Sequence, residues 1–211
     1  PPPSHAMRGQ EISLYAEDNF NVNARFSLNA GVRTSLFHTQ GKSYYSLQPR
    51  LSARYDLGQG YSAKASYTCM AQYVHLLSST PLSMPTDLWV PITKDISPMY
   101  ANQFSIGGYY SGLPGWEFSV EGYYKQMKHI LEYQDGVSFF GTSTNWEEKV
   151  EMGEGRSFGL ELMVQKTLGK TTGWLAYTLS KTDHRFKNGT INQGRWFPYK
   201  YDRRHSISLN L

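Results

Sequence analysis

Residues 45–57 alternate between apolar and polar side chains, and the alternation resumes after a glycine-flanked turn at 58–60. One face of the two arms carries the apolar and aromatic residues, and the other carries the arginines, lysine, serines and glutamine. Only a β-strand places successive side chains on opposite faces in this way. Strands in soluble proteins average about five or six residues, whereas a strand crossing a bilayer at a tilt needs about nine to eleven. The stretch therefore predicts a long β-hairpin whose apolar face meets either a protein core or lipid.

The composition narrows the class of protein. The chain of 211 residues has 21 basic and 17 acidic residues, a formal charge of +4 that is too weak and dispersed to predict nucleic-acid binding. A mean hydropathy of −0.52 and the lack of a long apolar run exclude a helical membrane span. Aromatic residues reach 15%, including 16 tyrosines. A polar average with many tyrosines is typical of barrel strands, because half of their residues face water.

Alternating stretches recur along most of the chain and predict an all-β, antiparallel, up-and-down transmembrane β-barrel segment of about nine strands. The predicted strands are 10–19, 24–38, 43–57, 60–74, 100–113, 115–133, 156–168, 172–185 and 204–211. Short turns alternate with longer loops, which are predicted near 38–43, 75–99, 134–155 and 186–203. Outer-membrane barrels sort short turns to one end and long loops to the other. Aromatic residues flank the short turns and predict an interfacial girdle at Phe20, Tyr61, Trp116 and Trp174.

The polar positions of the predicted strands indicate which face is wet. An arginine on the lipid face at the centre of a bilayer would cost roughly 2–4 kcal/mol, so the arginine side must face water. The charges predicted to face a lumen are Arg33, Arg50, Arg54, Lys64, Glu117, Glu121 and Glu161. They would contact either a plug or a passing substrate, or form a solvated wall with weak cross-strand pairs.

The sequence offers no catalytic site and predicts no enzyme activity, no cofactor and no metal centre. It contains no nucleophile elbow, phosphate-binding glycine loop or HExxH motif. The carboxylates Glu147, Glu148, Glu151 and Glu154 are interpreted as part of a solvated loop, in preference to a loop that binds calcium or another ligand. The pairs Asp183–His184 and Asp202–His205 lack further metal ligands at a plausible spacing. Cys69 is the only cysteine, which excludes an intrachain disulfide.

Several segments resemble the barrel of TonB-dependent outer-membrane receptors, most closely the Bacteroidetes-type branch. They include LNAGVRTSLF, QPRLSARYDLGQGYSAKASY, WEFSVEGYYKQMKHILEY, GEGRSFGLELMVQKTLGKTTGWLAYTLSKT and FPYKYDRRHSISLNL. The resemblance covers most of residues 11–211 and implies the C-terminal part of a 22-strand barrel. It further implies a plug domain, energy coupling through TonB–ExbB–ExbD, and a location among the lipids of the outer membrane of a Gram-negative bacterium. Residues 10–211 would be barrel, and residues 1–9 an expression-tag remnant or a disordered start.

In this setting the long loops would meet a nutrient, which is a small molecule or an oligomer. The candidate ligand-binding residues are Asp87, Trp89, Trp146, Arg195 and Trp196. Residues 84–98 are interpreted as a loop packed on the barrel rim in preference to a lid. The predicted function is a barrel segment of an active importer of iron chelates, cobalamin-like cofactors, glycans or peptides. The alternatives are a passive porin-like or adhesin-type barrel and a soluble all-β binding module.

Overall fold

The computed structural model describes residues 9–77, 88–133, 150–187, 189, 191–199 and 202–211. These residues form strands and connections, with one 3-10 turn at Asn192–Gly194. The strands are β1 (Gly9–Asn21), β2 (Phe26–Thr39), β3 (Lys42–Gly58), β4 (Tyr61–Gln72), β5 (Val74–Leu77), β6 (Leu88–Pro91), β7 (Met99–Tyr110), β8 (Trp116–Tyr133), β9 (Val150–Lys166), β10 (Gly173–Arg185), β11 (Phe197–Pro198) and β12 (His205–Asn210).

The strands form one antiparallel, up-and-down sheet. Its order is β1-β2-β3-β4-β7-β8-β9-β10, and both β11 and β12 pair with β10. The short pair β5-β6 stands apart from this wall. Leaving aside the two-residue β11, nine strands in the described part of the chain build the wall, which confirms the predicted fold class and strand number. No helix in the described part of the chain is long and apolar enough to cross a membrane.

The connections differ between the two ends of the sheet. At the "turn end" they are residues 22–25, 59–60, 111–115 and 167–172, as predicted. At the opposite "loop end" the prediction of a longer loop near 38–43 is wrong. Gln40 and Gly41 alone join β2 to β3, with φ of 49° and 78°. Positive φ at both central residues is the geometry of a tight type I′ hairpin, whose twist matches the flanking strands. The other three loop-end connections are long.

One face of the sheet is an exposed apolar band that crosses the strands diagonally. On β2 the loop-end edge of the band is Leu36, and on β9 it is Phe158, beyond which Arg156 follows. Phe158 lies in the same hydrogen-bonded row as Ala30 of β2. This row runs Phe158–Tyr124–Phe104–Tyr67–Leu51–Ala30.

The edge of the band therefore shifts by six residues (36 − 30) over the five strand steps from β2 to β9. At about 3.4 Å per residue and about 4.8 Å between strands, the shift corresponds to a strand tilt of roughly 40°. Strands of outer-membrane barrels tilt by about 35–45°. A flat apolar layer that crosses tilted strands explains why the edge of the band is diagonal. The hydrophobic core of a soluble protein would not require such an edge.

The opposite face is polar and concave. An open trough of about 520 Å³ lies on it and spans β1 to β8. Its polar lining residues are Asn19, Asn21, Ser27, Asn29, Ser52, Arg54, Lys64, Ser66, Ser105, Tyr109 and Glu121. The sheet therefore curves toward its polar side, as the wall of a water-filled barrel does.

At the loop end, two segments fold back over the concave face and create the buried part of the molecule. Residues 91–98 cover β2 and β3, where Ile92 joins a cluster with Phe37, Tyr44 and Tyr73. The described residues between 186 and 199 extend over β7 to β9. There Phe186 and Ile191 pack against Ala101, Met127 and Ile130. The prediction that the loop within 84–98 packs on the wall is confirmed for residues 91–98.

Two sequence-based assignments near this region are corrected. Strand β9 begins at Val150, so Glu151 and Glu154 lie in a strand and not in the predicted solvated loop. Glu151 is buried opposite Glu132 in the ladder. Gly153 and Gly155 of β9 permit close packing. A Cβ added at Gly153 would lie 2.5 Å from Cδ1 of Phe186.

The predicted girdle needs one correction at the turn end. Phe20 and Tyr61 lie on the exposed apolar face, in accord with the prediction, and Trp116 lies on the same face. Trp174, however, pairs with Gln165, which pairs with Glu117. It therefore lies on the polar face. The prediction used only the position of Trp174 beside a turn, whereas successive residues of a strand point to opposite faces.

Candidate functional site

The register places all seven predicted lumen charges on the concave face. One row runs Arg54–Lys64–Gly107–Glu121–Glu161 from β3 to β9. By the alternation of their strands, Arg33, Arg50 and Glu117 point to the same face as this row. Among these seven charges, the cations lie on β2 to β4 and the carboxylates lie on β8 and β9. The same face also carries Lys125 of β8 and Glu11 and Glu17 of β1, so both signs are present across it. That this face contacts a plug or a substrate stays a prediction.

Polar side chains that the sequence analysis did not select connect the two halves of this wall. The Tyr109 hydroxyl donates a hydrogen bond to Glu121, and Nζ of Lys64 lies 5.4 Å from the centre of the Tyr109 ring. Near β1, Arg33 pairs with Glu11 at 3.5 Å. Glu17 accepts a hydrogen bond from Asn29. The alternation of side chains along β7 and β1 is enough to place Tyr109 and Glu17 on the polar face.

The five candidate ligand-binding residues have separate outcomes. Asp87 and Trp146 lie outside the described residues, and Trp89 is described only through its backbone in β6. Arg195 is exposed, and its guanidinium donates to Oε1 of Gln193 at 2.8 Å. These four positions give no ligand geometry, and a role in ligand binding stays a prediction for all five residues.

Trp196, the fifth candidate, lies between two arginines. The guanidinium carbon of Arg156 is 4.2 Å from the Trp196 ring centre, and that of Arg185 is 4.6 Å away. Both arginines point to the outward face. Arg156 lies two residues from Phe158 on β9, and Arg185 pairs with Glu154, which lies two residues further along the same strand. Cation–π contacts of this kind contribute about 0.5–2 kcal/mol. Trp196 therefore lies on the outer side of the wall, whereas Phe186 and Ile191 of the same segment pack on its inner side.

Hydrogen bonds fix residues 91–98 on the inner side of β2 and β3. The Tyr44 hydroxyl donates to the Thr93 carbonyl at 2.6 Å. Nε2 of His75 lies 2.7 Å from the Ser97 carbonyl oxygen. Burial lowers the pKa of His75, a shift that its bond to Ser97 opposes and the nearby His129 reinforces. The neutral ring therefore donates to the carbonyl and holds this segment in place.

His184 occupies the corresponding position under residues 186–199. Its ring stacks on Tyr199 with the centroids 4.2 Å apart and meets Phe197 edge-on. Burial lowers the pKa of His184 to about 4, although the neighbouring Asp183 acts in the opposite direction. Asp183 itself pairs with Arg156 at 3.4 Å and Lys181 at 3.5 Å. Asp183 and His184 are therefore both engaged in structural contacts. Among the described residues, no group of three metal-ligating side chains converges.

Comparisons with known proteins agree with this architecture. Residues 2–211 match the family model of TonB dependent receptor-like β-barrels. No curated protein matches the chain.

Three solved structures share the fold at low sequence identity. The ferric-catecholate import receptor Fiu of E. coli K12 is 16% identical with a TM-score of 0.64, and the match covers 95% of this chain and 31% of that one. The FrpB iron transporter of Neisseria meningitidis is 15% identical with a TM-score of 0.63, covering 90% of this chain and 28% of that one. The ferripyoverdine receptor of Pseudomonas aeruginosa is 18% identical with a TM-score of 0.62, covering 95% of this chain and 25% of that one. The chain thus spans about a quarter to a third of the length of these proteins. A tilted, one-sided apolar band, a concave charged wall and a family model that matches nearly every residue lead to one conclusion: the chain belongs to the TonB-dependent receptor-like β-barrel family.

Proposed function

We propose that this chain forms part of the wall and outer rim of an outer-membrane transporter that imports a scarce nutrient in a Gram-negative bacterium. The observation that carries the proposal is the diagonal apolar band. Its tilt of roughly 40° fits a sheet immersed in a lipid layer. The charged concave face would then line the transport path and contact the plug of the complete receptor. Energy would come from the inner membrane through TonB, ExbB and ExbD.

The segments that fold over the concave face favour this function over that of a passive pore. Residues 91–98 and 186–199 cover the inner wall at the loop end, where a porin needs an open mouth. A receptor that holds its substrate before active import requires a structured outer rim. The rim would include the predicted ligand-binding residues of the long loops. Because the charges of the wall are dispersed, as on a solvated surface, we propose no nucleic-acid partner.

Iron chelates are the first substrate class to test, because the three structures compared above are described as an iron transporter and as receptors of ferric ligands. The experiment is growth of a strain that depends on the full-length gene for uptake, supplied with single iron chelates. We expect growth on at least one chelate that is lost when TonB is deleted. Uptake that persists without TonB, together with steady conductance of the purified protein in planar bilayers, would support a passive pore instead.

A further inference from the structure

The outward face of the loop end carries a basic cluster that the proposed transport function does not use. Five cations lie there, on β8, β9 and β10 and just after β10: Lys128, Arg156, Lys181, Arg185 and Lys187. Two carboxylates accompany them, namely Asp183 and Glu154. The cluster therefore has an excess of three positive charges (5 − 2). Among the described residues, Lys128 has no ion-pair partner.

Part of this cluster surrounds a cavity of about 340 Å³. Its lining residues are Lys128, His129, Met152, Gly153, Glu154, Arg185 and Lys187. A bulge at His129, where φ is 60°, interrupts the pairing of β8 with β9 and opens this site. Arg185 donates to Oε1 of Glu154 at 2.8 Å, and Lys187 lies 3.5 Å from the same oxygen. These cations outweigh the effect of burial and hold the pKa of Glu154 below its usual value.

The position of the cavity relative to the apolar band indicates what could occupy it. Lys128, Glu154 and Arg185 form one row, four residues along β9 from Phe158 at the edge of the band. With strands tilted by roughly 40°, the row lies about 10 Å beyond the apolar layer. Lipid headgroups occupy this zone. Arginine and lysine are the side chains that bind phosphate most strongly, and the Trp196 stack holds Arg185 in place.

The feature is local to one side of the wall. Beyond the band on β1 to β3, the outward positions are Gln10, His38 and Ser43, with neither lysine nor arginine among them. We propose that the cavity between Lys128, Arg185 and Lys187 binds the phosphate of a phosphorylated lipid headgroup in the outer leaflet. This inference rests on the proposed outer-membrane location, with the loop end facing outward. The bound lipid would secure the rim strands β8 to β10 against the membrane surface.

The test is native mass spectrometry of the full-length protein in detergent, titrated with phosphorylated lipid A. The same lipid A without its phosphates and inorganic phosphate serve as comparison ligands. The variant K128Q/K187Q removes two exposed cations, and K166Q/K170Q removes two from the turn end as a matched control. We expect the first variant to weaken binding of phosphorylated lipid A by about tenfold or more, since each cation near an anionic surface contributes substantially. The control should bind as the unmodified protein does.

Equal binding of dephosphorylated lipid A would overturn the proposal, as would unchanged binding by K128Q/K187Q. Inorganic phosphate that competes at equal concentration would assign the site to free phosphate and not to a lipid. The lipid titration and the chelate-growth assay fail independently. Loss of TonB-dependent growth on every chelate with lipid binding intact would refute only the proposed nutrient uptake, whereas the reverse result would refute only the lipid site.

Discussion

The wall and the loop-end rim are made from the same strands but are stabilised in different ways. In the wall, each strand exposes apolar side chains on one face and polar side chains on the other, and the described residues there form no buried core. At the rim, returning segments bury Phe186 and Ile191 almost completely. The wall therefore depends on lipid to cover its apolar face, whereas the rim contains its own small hydrophobic core. Substitutions should separate these two modes of stabilisation.

The largest effect is expected at Phe186, whose side chain is fully buried. Replacing it by alanine should reduce the free energy of undocking residues 186–199 by about 3–5 kcal/mol, the usual cost of deleting a buried phenylalanine. Hydrogen exchange of residues 186–199 in the full-length protein measures the change. The matched control is Phe104→Ala on the apolar band, where the ring is 52% exposed in the absence of lipid. Equal acceleration of exchange in residues 186–199 by both variants would show that the rim does not have a hydrophobic core separate from the wall.

The next effect concerns two adjacent residues of β3. Leu51→Arg should destabilise the full-length protein in a bilayer by roughly 2–4 kcal/mol, because the charge would enter the lipid face. Ser52→Arg places the same charge in the polar trough and should change the free energy of unfolding by less than about 1 kcal/mol. Unfolding by guanidinium in lipid vesicles measures both. Similar costs for the two variants would contradict the assignment of faces.

Acid should loosen the rim before it affects the wall. Unfolded histidine has a pKa of about 6.5, whereas burial lowers the pKa of His184 to about 4. Between these values the undocked state binds more protons, so the docked rim is fully stable only above about pH 6.5 and loses stability toward pH 4. We expect a loss on the order of 2–3 kcal/mol at pH 4. Hydrogen exchange of residues 186–199 across this range measures it. The His184→Phe variant should show a flatter pH dependence, and an unchanged slope would exclude this histidine as the cause.

The smallest effect is expected at the pair of Arg33 and Glu11 on the polar face. The two side chains are half-exposed, at 49% and 39%, and lie 3.5 Å apart. Exposed pairs of this kind contribute about 0.2–1 kcal/mol. Arg33→Gln should therefore shift the midpoint of guanidinium unfolding only slightly. A shift as large as that of Leu51→Arg would mean that the polar wall has a stabilising network beyond the described contacts.

Period-two alternation predicted most of the wall, because each wall strand contacts a different solvent on each of its faces. The alternation in β3 and β8 specified their faces, and the glycines at 58 and 60 identified the turn. These signals are local in the sequence, so they can be read without knowledge of the tertiary structure.

The rim could not be predicted in this way. Phe186 lies in the polar stretch DHRFKNGT, and only the return of the chain over the wall buries it. Gly153 leaves the space that Phe186 occupies, and this contact has no local signal in the sequence. The error at Trp174 arose because its proximity to a turn does not determine which face of the strand it occupies. Burial created by tertiary contacts has no periodic signal in the sequence.

The most direct test of the lipid-facing wall is a spin-label scan of residues 50–55 in the full-length protein, reconstituted in lipid, with Cys69 first replaced by serine. Collision with oxygen, which concentrates in lipid, is compared with collision with a water-soluble nickel complex. The account predicts strict alternation, with oxygen access at 51, 53 and 55 and nickel access at 50, 52 and 54. Uniform access to the nickel complex at all six positions, or alternation of opposite phase, would contradict it.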